Sequence, residues 1–573
     1  MSRSTVGGKN VGKVSVHRAP FLDYEGLNAR LHELAAASPE LVRLIEIGKS
    51  QEGRTIWVAE VTDRAAGRAE HKPALWLDGN LHATELMGST VCLEFLRRCV
   101  EEPESVPGLA RSLASHTYYV CPRINPDGAE LALADHPVLL RSGTRPYPPA
   151  QAVREGFAER DVDGDGRVLT IRIPDPHGHW AVSEVDPRLM VPREPTEEGG
   201  RYYRLLPEGR YPDFDGLRYD IPADHAGLDF NRNFPAEWKP HTEQAGAGDF
   251  PTSEPEVLAV VRFITEHPNI FSGLSFHTHS GLLLRPFSDR PDDQFPWQDL
   301  EVYTQIGQTG ERMTGYPACS VFHDFRGQDR SVITGAFDDW MYLHLGLLAW
   351  TVEIWSPQRE AGISVSDAIG WYRSHPIEDE VRLAAWSDAN LERPALVDWY
   401  PFEHPDLGLV ELGGWDWFHA FRNPPLEYIE QEASRFPEWI AWHALISPRL
   451  VWRGHSVEAL GGGSFLVRVA VANSGWLPTH VTQRNLERGI RGGLVVELAP
   501  PVDVKIVSGE SKRAFGELSG RANKPLSNVR YNRDASDDLK VAEWVVSAPD
   551  GAKVEVIAHH PVAGRITVDL LLG

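Results

Sequence analysis

The chain has 573 residues, of which 57 are Lys or Arg and 81 Asp or Glu, for a net charge of −24. A surface this acidic repels phosphate backbones and anionic lipid, which argues against nucleic acid or a membrane as partner. The length calls for two or three domains.

The first 18 residues read as a loose tail with no apolar run of signal-peptide length, so the expected compartment is the cytoplasm. The most apolar run, GLLAWTVEIW, is too short to span a bilayer. Cys92, Cys99, Cys121 and Cys319 show no metal-ligand pairing and read as reduced core thiols.

From FLDYEGLNARLHELAAASPELV onward the apolar spacing is helical. LIEIGKS and TIWVAEVTD read as strands about a turn, PALWLDGN as a buried strand, and ELMGSTVCLEFLRRCV as the helix after it. HTYYVCPRINPDG, SGLSFHTHS and GLLAWTVEIW supply further strands. Strands alternating with helices predict an α/β domain over residues 19–440, with a mixed, largely parallel sheet flanked by helices. Chemistry in such sheets gathers beyond the carboxyl ends of the strands. Residues 150–226, rich in Pro, Gly, Asp and Arg, read as a long irregular insertion. Residues 445–573 change character: SFLVRVAVANSG, GLVVELAP, VDVKIVSG, LKVAEWVVSAP, AKVEVIAHHP and RITVDLLLG predict a separate β-sandwich.

His82-Ala83-Thr84-Glu85 follows the strand ALWLDGN and is expected to open the next helix. An imidazole and a carboxylate three apart supply two of the three protein ligands of an open zinc site. His-x-x-Glu also occurs at His375 and His455, but only His82 follows a buried strand. His277 and His279 share the SFHTHS strand, and spacing alone leaves either as the third ligand. Glu353 is a carboxylate inside the apolar strand LLAWTVEIW, where an unpaired charge is costly unless it has work to do.

In this order, IGKSQEGRTIW, GNLHATE, RINPDG, LRSGTR, DFNRNF, SFHTHSGLLL, FDDW and TVEIW resemble the zinc carboxypeptidases, the family of the digestive carboxypeptidases A and B. The likeness covers about residues 20–360 with the insertion removed. It implies a zinc-dependent metallocarboxypeptidase acting on peptides with a free C-terminal carboxylate. It places zinc on His82, Glu85 and His277, with Asp229 hydrogen-bonded to His82. It makes Glu353 the catalytic base and Arg141 the oxyanion stabiliser. It puts Asn231 and Arg232 on the terminal carboxylate and His279 beside the cleft. Asp338, just before Asp339-Trp340, falls at the floor of the pocket for the terminal side chain, which implies a preference for Lys or Arg. The sequence departs from the family in RGQDRSVITGAFDDW, which lacks the mobile tyrosine; Phe325 and His279 are the nearest replacements.

Two other readings stand beside this one: a zinc amidase cleaving a non-standard bond, such as a cell-wall peptide or a side-chain-linked amino acid, and a binding module on an inactive peptidase fold. The second predicts loss of a ligand or of the base, and all are present. In the insertion, DVDGDGR sets Asp161, Asp163, Asp165 and Gly166 at calcium-loop positions, but Arg172 stands where such a loop ends in Glu. The segment reads as a calcium site or as an Asx-turn loop that binds nothing.

Overall fold

The computed structural model describes residues 21–148, 157–221, 227–326, 331–524 and 535–573. The tail expected over residues 1–18 lies outside these, as do both ends of the insertion near residues 150 and 226.

An eight-stranded mixed sheet organises the first part of the chain. Its order is Val42–Lys49, Thr55–Val61, Thr117–Cys121, Ala74–Gly79, Ile270–Thr278, Leu348–Ile354, Leu282–Arg285 and Ala318–Ser320. The four central strands, from Thr117–Cys121 to Leu348–Ile354, run parallel. All of Ala74–Gly79, Ile270–Thr278 and Leu348–Ile354 is buried, as expected for parallel strands covered by helices on both faces. The helix Met87–Glu101 packs close to the sheet because Gly88 has no side chain; a Cβ there would stand 2.6 Å from the Phe276 carbonyl oxygen. Among the described residues, no helix is long and apolar enough to cross a membrane.

The insertion is not irregular. Thr170–Pro174, Trp180–Val182, Met190–Pro192 and Tyr203–Pro207 join Leu396–His404 and Gly408–Trp415 in a six-stranded antiparallel sheet. Arg172 ties the two parts together: its Nε lies 2.8 Å from Glu411, and its guanidinium sits over the rings of Tyr203 and Trp399. The strands are short, and Thr170–Pro174 joins them to Gly408–Trp415, more than two hundred residues downstream, so local patterning does not reveal the sheet.

From Leu450 onward, two four-stranded antiparallel sheets enclose a second apolar core that includes Val467, Val496, Trp544 and Val556. This sandwich meets the amino ends of the central strands. Ser447, in the segment leading into the sandwich, bonds His116, just before Thr117–Cys121, at 2.8 Å. Thr482 bonds the Gly346 carbonyl, just before Leu348–Ile354, at 2.6 Å. Arg491 bonds the Pro268 carbonyl, just before Ile270–Thr278. The sandwich thus braces the opposite end of the strands from the site described next.

Candidate active site

Three parallel strands end together at the carboxyl edge of the large sheet. His82 and Glu85 follow Ala74–Gly79, His277 is the second-last residue of Ile270–Thr278, and Glu353 is the second-last of Leu348–Ile354. The sequence puts His82 and Glu85 at the start of a helix, but the helix begins only at Met87 and both lie in the loop before it. That loop is held from within by Asn80, whose Nδ2 donates to the His82 carbonyl at 2.7 Å. From outside it is held by Asn423, whose Oδ1 accepts from Leu86 N at 2.9 Å and whose Nδ2 donates to the Thr84 carbonyl at 2.8 Å. Asn423 thereby serves buried N–H groups at the helix start, a task that a local cap residue usually performs.

His82, Glu85 and His277 are buried, with ligand atoms within 4.8 Å of one another. His82 Nδ1 is 2.9 Å from Glu85 Oε1, His277 Nδ1 is 2.9 Å from Glu85 Oε2, and the two Nδ1 atoms are 3.0 Å apart. Ligands about 2.0–2.2 Å from a tetrahedral zinc lie about 3.3–3.5 Å from each other, so the cluster has nearly the dimensions of such a site. The outer nitrogens support the same fit. His82 Nε2 is 3.1 Å from Asp229 Oδ1, and His277 Nε2 is 3.1 Å from Ser275 Oγ. Ser275 Oγ in turn donates to Asp78 Oδ1 at 2.6 Å. A proton on each Nε2 leaves both Nδ1 lone pairs for a cation, the usual outer arrangement of metal-bound histidines.

Asp229 joins several parts. It caps the short helical turn Phe230–Arg232, accepting from Asn231 N at 2.9 Å, and receives Arg141 Nε at 3.0 Å on its second oxygen. Burial works against its charge, but Arg141, Arg232 and His82 hold it well below the usual carboxylate range. Glu85 follows the same pattern: burial opposes ionisation and the two imidazoles outweigh it. Glu353 behaves in the opposite way. Burial and the Glu85 charge push it well above the usual range, against Arg141 and Arg422.

On another side, Asn231 Oδ1 accepts from Phe337 N at 2.8 Å, which docks the turn Phe230–Arg232 on the helix Phe337–Leu345. Arg232 is steadied by its own neighbour, donating to the Asn231 carbonyl at 2.7 Å. Asp338, in the first turn of that helix, is buried; Oδ1 accepts from Asp339 N at 3.0 Å, and Oδ2 has no hydrogen-bond partner among the described residues. Burial raises Asp338, while Arg232 and His277 pull the other way.

His279 lies past the end of its strand rather than on its face. Its Nδ1 is 3.1 Å from the Tyr372 hydroxyl, and its ring packs against Tyr372 and Trp417. Burial and the nearby Arg422 lower its pKa to about 3, which keeps the ring neutral. Tyr372 thus brings a tyrosine hydroxyl to His279 from a part of the chain about ninety residues away. Phe325 closes the short helix Val321–Asp324, and residues 327–330 of the departing stretch lie outside the described residues. Arg145 is engaged elsewhere, in a two-pronged pair with Glu254 at 2.7 and 3.0 Å. His375 is stacked on Trp371 and bonded to Glu380 at 3.0 Å.

Reading the sequence missed Arg422, Asn423, Ser275 and Asp78. Ser275 and Asp78 carried a signal, since each is a polar residue in a buried strand, and Ser275 is two before His277 on the same face. Arg422 and Asn423 carried none, because long-range packing alone brings the turn Phe418–Arg422 to the site.

In the acidic loop, the donors that converge within 4.8 Å belong to Asp161, Asp163 and Glu208. Asp165 instead accepts from Arg167 N at 2.7 Å and lies 3.7 Å from Arg393. Glu208 accepts from Val162 N at 2.8 Å and Leu169 N at 2.6 Å, and burial beside the two aspartates raises it to about 8.

A buried two-histidine, one-carboxylate cluster at the carboxyl edge of a mixed sheet, with a carboxylate on the neighbouring strand, defines a candidate mononuclear metal centre of hydrolase type. The chain belongs to the zinc carboxypeptidase family: the family model described as "Zinc carboxypeptidase" matches residues 27–155 and 196–368, just over half of the chain. A second model, described as a domain of unknown function (DUF8731), matches residues 449–570. Carboxypeptidase A6 of Mus musculus is 24% identical over 46% of this chain and 44% of its own length. Carboxypeptidase B of Astacus astacus is 26% identical over 58% of this chain and 86% of its own. The chain therefore spans less than half of the mouse relative and most of the crayfish one. Among solved structures, the thrombin-activatable fibrinolysis inhibitor aligns with a TM-score of 0.42 and 15% identity over 74% of this chain and 73% of that one. Carboxypeptidase A from Helicoverpa armigera gives 0.37 and 18% over 65% and 75%.

Proposed function

We propose that the protein is a zinc-dependent metallocarboxypeptidase that hydrolyses the C-terminal peptide bond of peptides. The observation that carries this reading is that His82, Glu85, His277 and Glu353 meet at one sheet edge, with Asn231, Arg232 and Asp338 nearby. His82, Glu85 and His277 would hold zinc, which when bound polarises a carbonyl and lowers the pKa of water. Asp229 and Ser275 fix the proton on each histidine's outer nitrogen. Glu353, buried and with one oxygen unpartnered, takes the proton of the attacking water and delivers it to the departing amine nitrogen. Arg141, already held by Asp229 and Glu85, sets a guanidinium beside the charge that develops on the carbonyl oxygen. Asn231 and Arg232 hold the substrate's terminal carboxylate, for which an Arg fork suits both oxygens. His279 lines the cleft as a neutral ring, and Asp338 faces the terminal side chain.

The test is a library of peptides with free or amidated C-termini, incubated with and without zinc. Release of single C-terminal residues from the free peptides alone, dependent on zinc, is the expected result. Cleavage confined to side-chain-linked amides would favour the amidase reading, and binding without turnover the inactive fold.

The acidic loop carries a separate proposal. Asp161 and Asp163, with Glu208 in the place expected of Asp165, would supply oxygens to calcium. A calcium-dependent rise in melting temperature that disappears in Glu208→Gln is the expected result; no rise in the parent protein would leave the loop a turn.

A further inference from the structure

A cleft of about 360 Å³ opens beside the metal cluster. Its lining combines the polar Thr84, Arg141 and Arg422 with the apolar Leu140, Phe157 and Pro207. Arg141 and Arg422 approach the same atom, Glu85 Oε1, at 3.2 Å each. Arg422 Nη1 also donates to the Thr278 carbonyl at 3.2 Å. Its Nε and Nη2 make no hydrogen bond among the described residues, and neither does Arg141 Nη2. Two guanidinium groups thus share one carboxylate oxygen and keep donors in hand. The lining's acidic residue, Glu159, is exposed.

Arg422 is held in place. It ends the turn Phe418–Arg422, and the next residue, buried Asn423, bonds Thr84 and Leu86 on the metal-binding loop. It lies beyond the residues matched by the zinc carboxypeptidase model, whereas Thr84 and Arg141 lie within them.

We propose that this cleft takes the residue on the acyl side of the scissile amide, and that Arg422 together with Arg141 selects a carboxylate on that residue. The proposal rests on the carboxypeptidase reading for its orientation. The cleft's lining includes none of Asn231, Arg232 and Asp338, so a substrate whose terminal carboxylate sits on Asn231 and Arg232 reaches it from the other side of the bond. An acidic residue suits this mixed lining: its methylenes can pack on Leu140, Phe157 and Pro207 while its carboxylate meets the free guanidinium donors. Two linkages present this chemistry. In an α-linked glutamyl residue the carboxylate is the side chain's; in a γ-linked one it is the free α-carboxylate.

The experiment compares three substrates with the same C-terminal residue, carrying α-linked Glu, α-linked Gln or γ-linked Glu on the acyl side. Each is measured with the zinc-loaded parent, Arg422→Gln and Arg422→Lys, with zinc content checked in all three. Binding of N-acetylglutamate, N-acetylglutamine and free γ-linked product analogues is measured in parallel. At least one carboxylate-bearing series should exceed the Gln series about tenfold in kcat/KM, mainly through KM. That ratio should collapse to near one in Arg422→Gln and be partly kept in Arg422→Lys. The two Glu series tell which linkage is used. A ratio near one in the parent for both, in turnover and in binding, overturns the proposal. So does a ratio that survives Arg422→Gln, or a loss that falls equally on the Gln series and leaves the ratio intact. Binding preference without hydrolysis of any substrate would keep the cleft's selectivity and overturn the carboxypeptidase reading instead.

Discussion

His277 and Glu353 are register partners on adjacent parallel strands, so a candidate metal ligand and a candidate base leave the sheet side by side. Pairing fixes their separation without any loop between them, and both are buried. Glu353 Oε2 has no hydrogen-bond partner among the described residues. A buried carboxylate oxygen left unpaired is costly, and a proton acceptor for catalysis is a reason to keep it.

Glu353→Gln should therefore retain zinc and bind substrate while turnover falls by about 10²–10⁴. Metal analysis, substrate binding and kcat on one preparation check this. Near-parental kcat would assign the proton transfer to another group.

Histidine orientation gives a second expectation. Asp229→Ala and Ser275→Ala each remove the partner of one outer nitrogen, and each should weaken zinc about 10–100-fold. Competition with a chelator of known affinity measures it. Ser275→Ala also strips a hydrogen bond from buried Asp78, whose carboxyl burial already raises to about 6, so it should lose stability as well. His82→Ala and His277→Ala should abolish stoichiometric zinc binding. Full occupancy in either variant would remove that residue from the ligand set.

The central sheet was legible because its strands are buried on both faces and read as continuous apolar runs, such as ALWLDG and LAWTVEI. The candidate ligands could be picked out because His82 and Glu85 follow one such run and His277 stands near the carboxyl end of another. Spacing did not separate His277 from His279; the structure does, since the strand ends at Thr278 and the His279 ring turns to Tyr372 and Trp417. The sheet built from the insertion and residues 396–415 was not legible, because two of its strands are only three residues long. Arg422 and Asn423 were hidden for a different reason: a short irregular turn has no periodicity, and its contacts with Glu85 and Leu86 span more than 330 residues.

Glu256 offers a test of pH dependence away from the site. It is buried, accepts from Gln51 N at 2.8 Å through Oε1, and has no partner for Oε2 among the described residues. Burial, with Asp127 and Glu254 nearby, raises it from 4.5 to about 7. The folded protein thus holds this proton more tightly than the unfolded chain. The group's contribution is full below the unfolded value and is lost as pH rises through about 7. Glu256→Gln removes the charge, so it should stabilise by about 1–3 kcal/mol near pH 8 and by almost nothing near pH 4.5. Urea unfolding at both pH values measures the difference; an equal gain at both would trace the effect to packing.

On the proposed reading, terminal-residue preference would be set at Asp338. Its carboxyl is buried in the first turn of the helix Phe337–Leu345, where the helix dipole favours a negative charge. Asp339 N satisfies one oxygen and leaves the other unpartnered among the described residues. A guanidinium or ammonium entering from a substrate would pair it, whereas an apolar side chain would seal it away from water without a partner. Substrates ending in Arg or Lys should therefore exceed those ending in Leu by at least about tenfold in kcat/KM, and Asp338→Ala should remove most of that ratio. Burial raises the Asp338 carboxyl, so its charge is lost at a higher pH than for an exposed aspartate. The basic preference should accordingly shrink as pH falls, while the Leu substrate shows no matching change. The Arg-to-Leu ratio across pH, in the parent and in Asp338→Ala, separates this from a global effect on catalysis. A parent that prefers Leu, or a ratio unmoved by the substitution, would place the specificity pocket elsewhere.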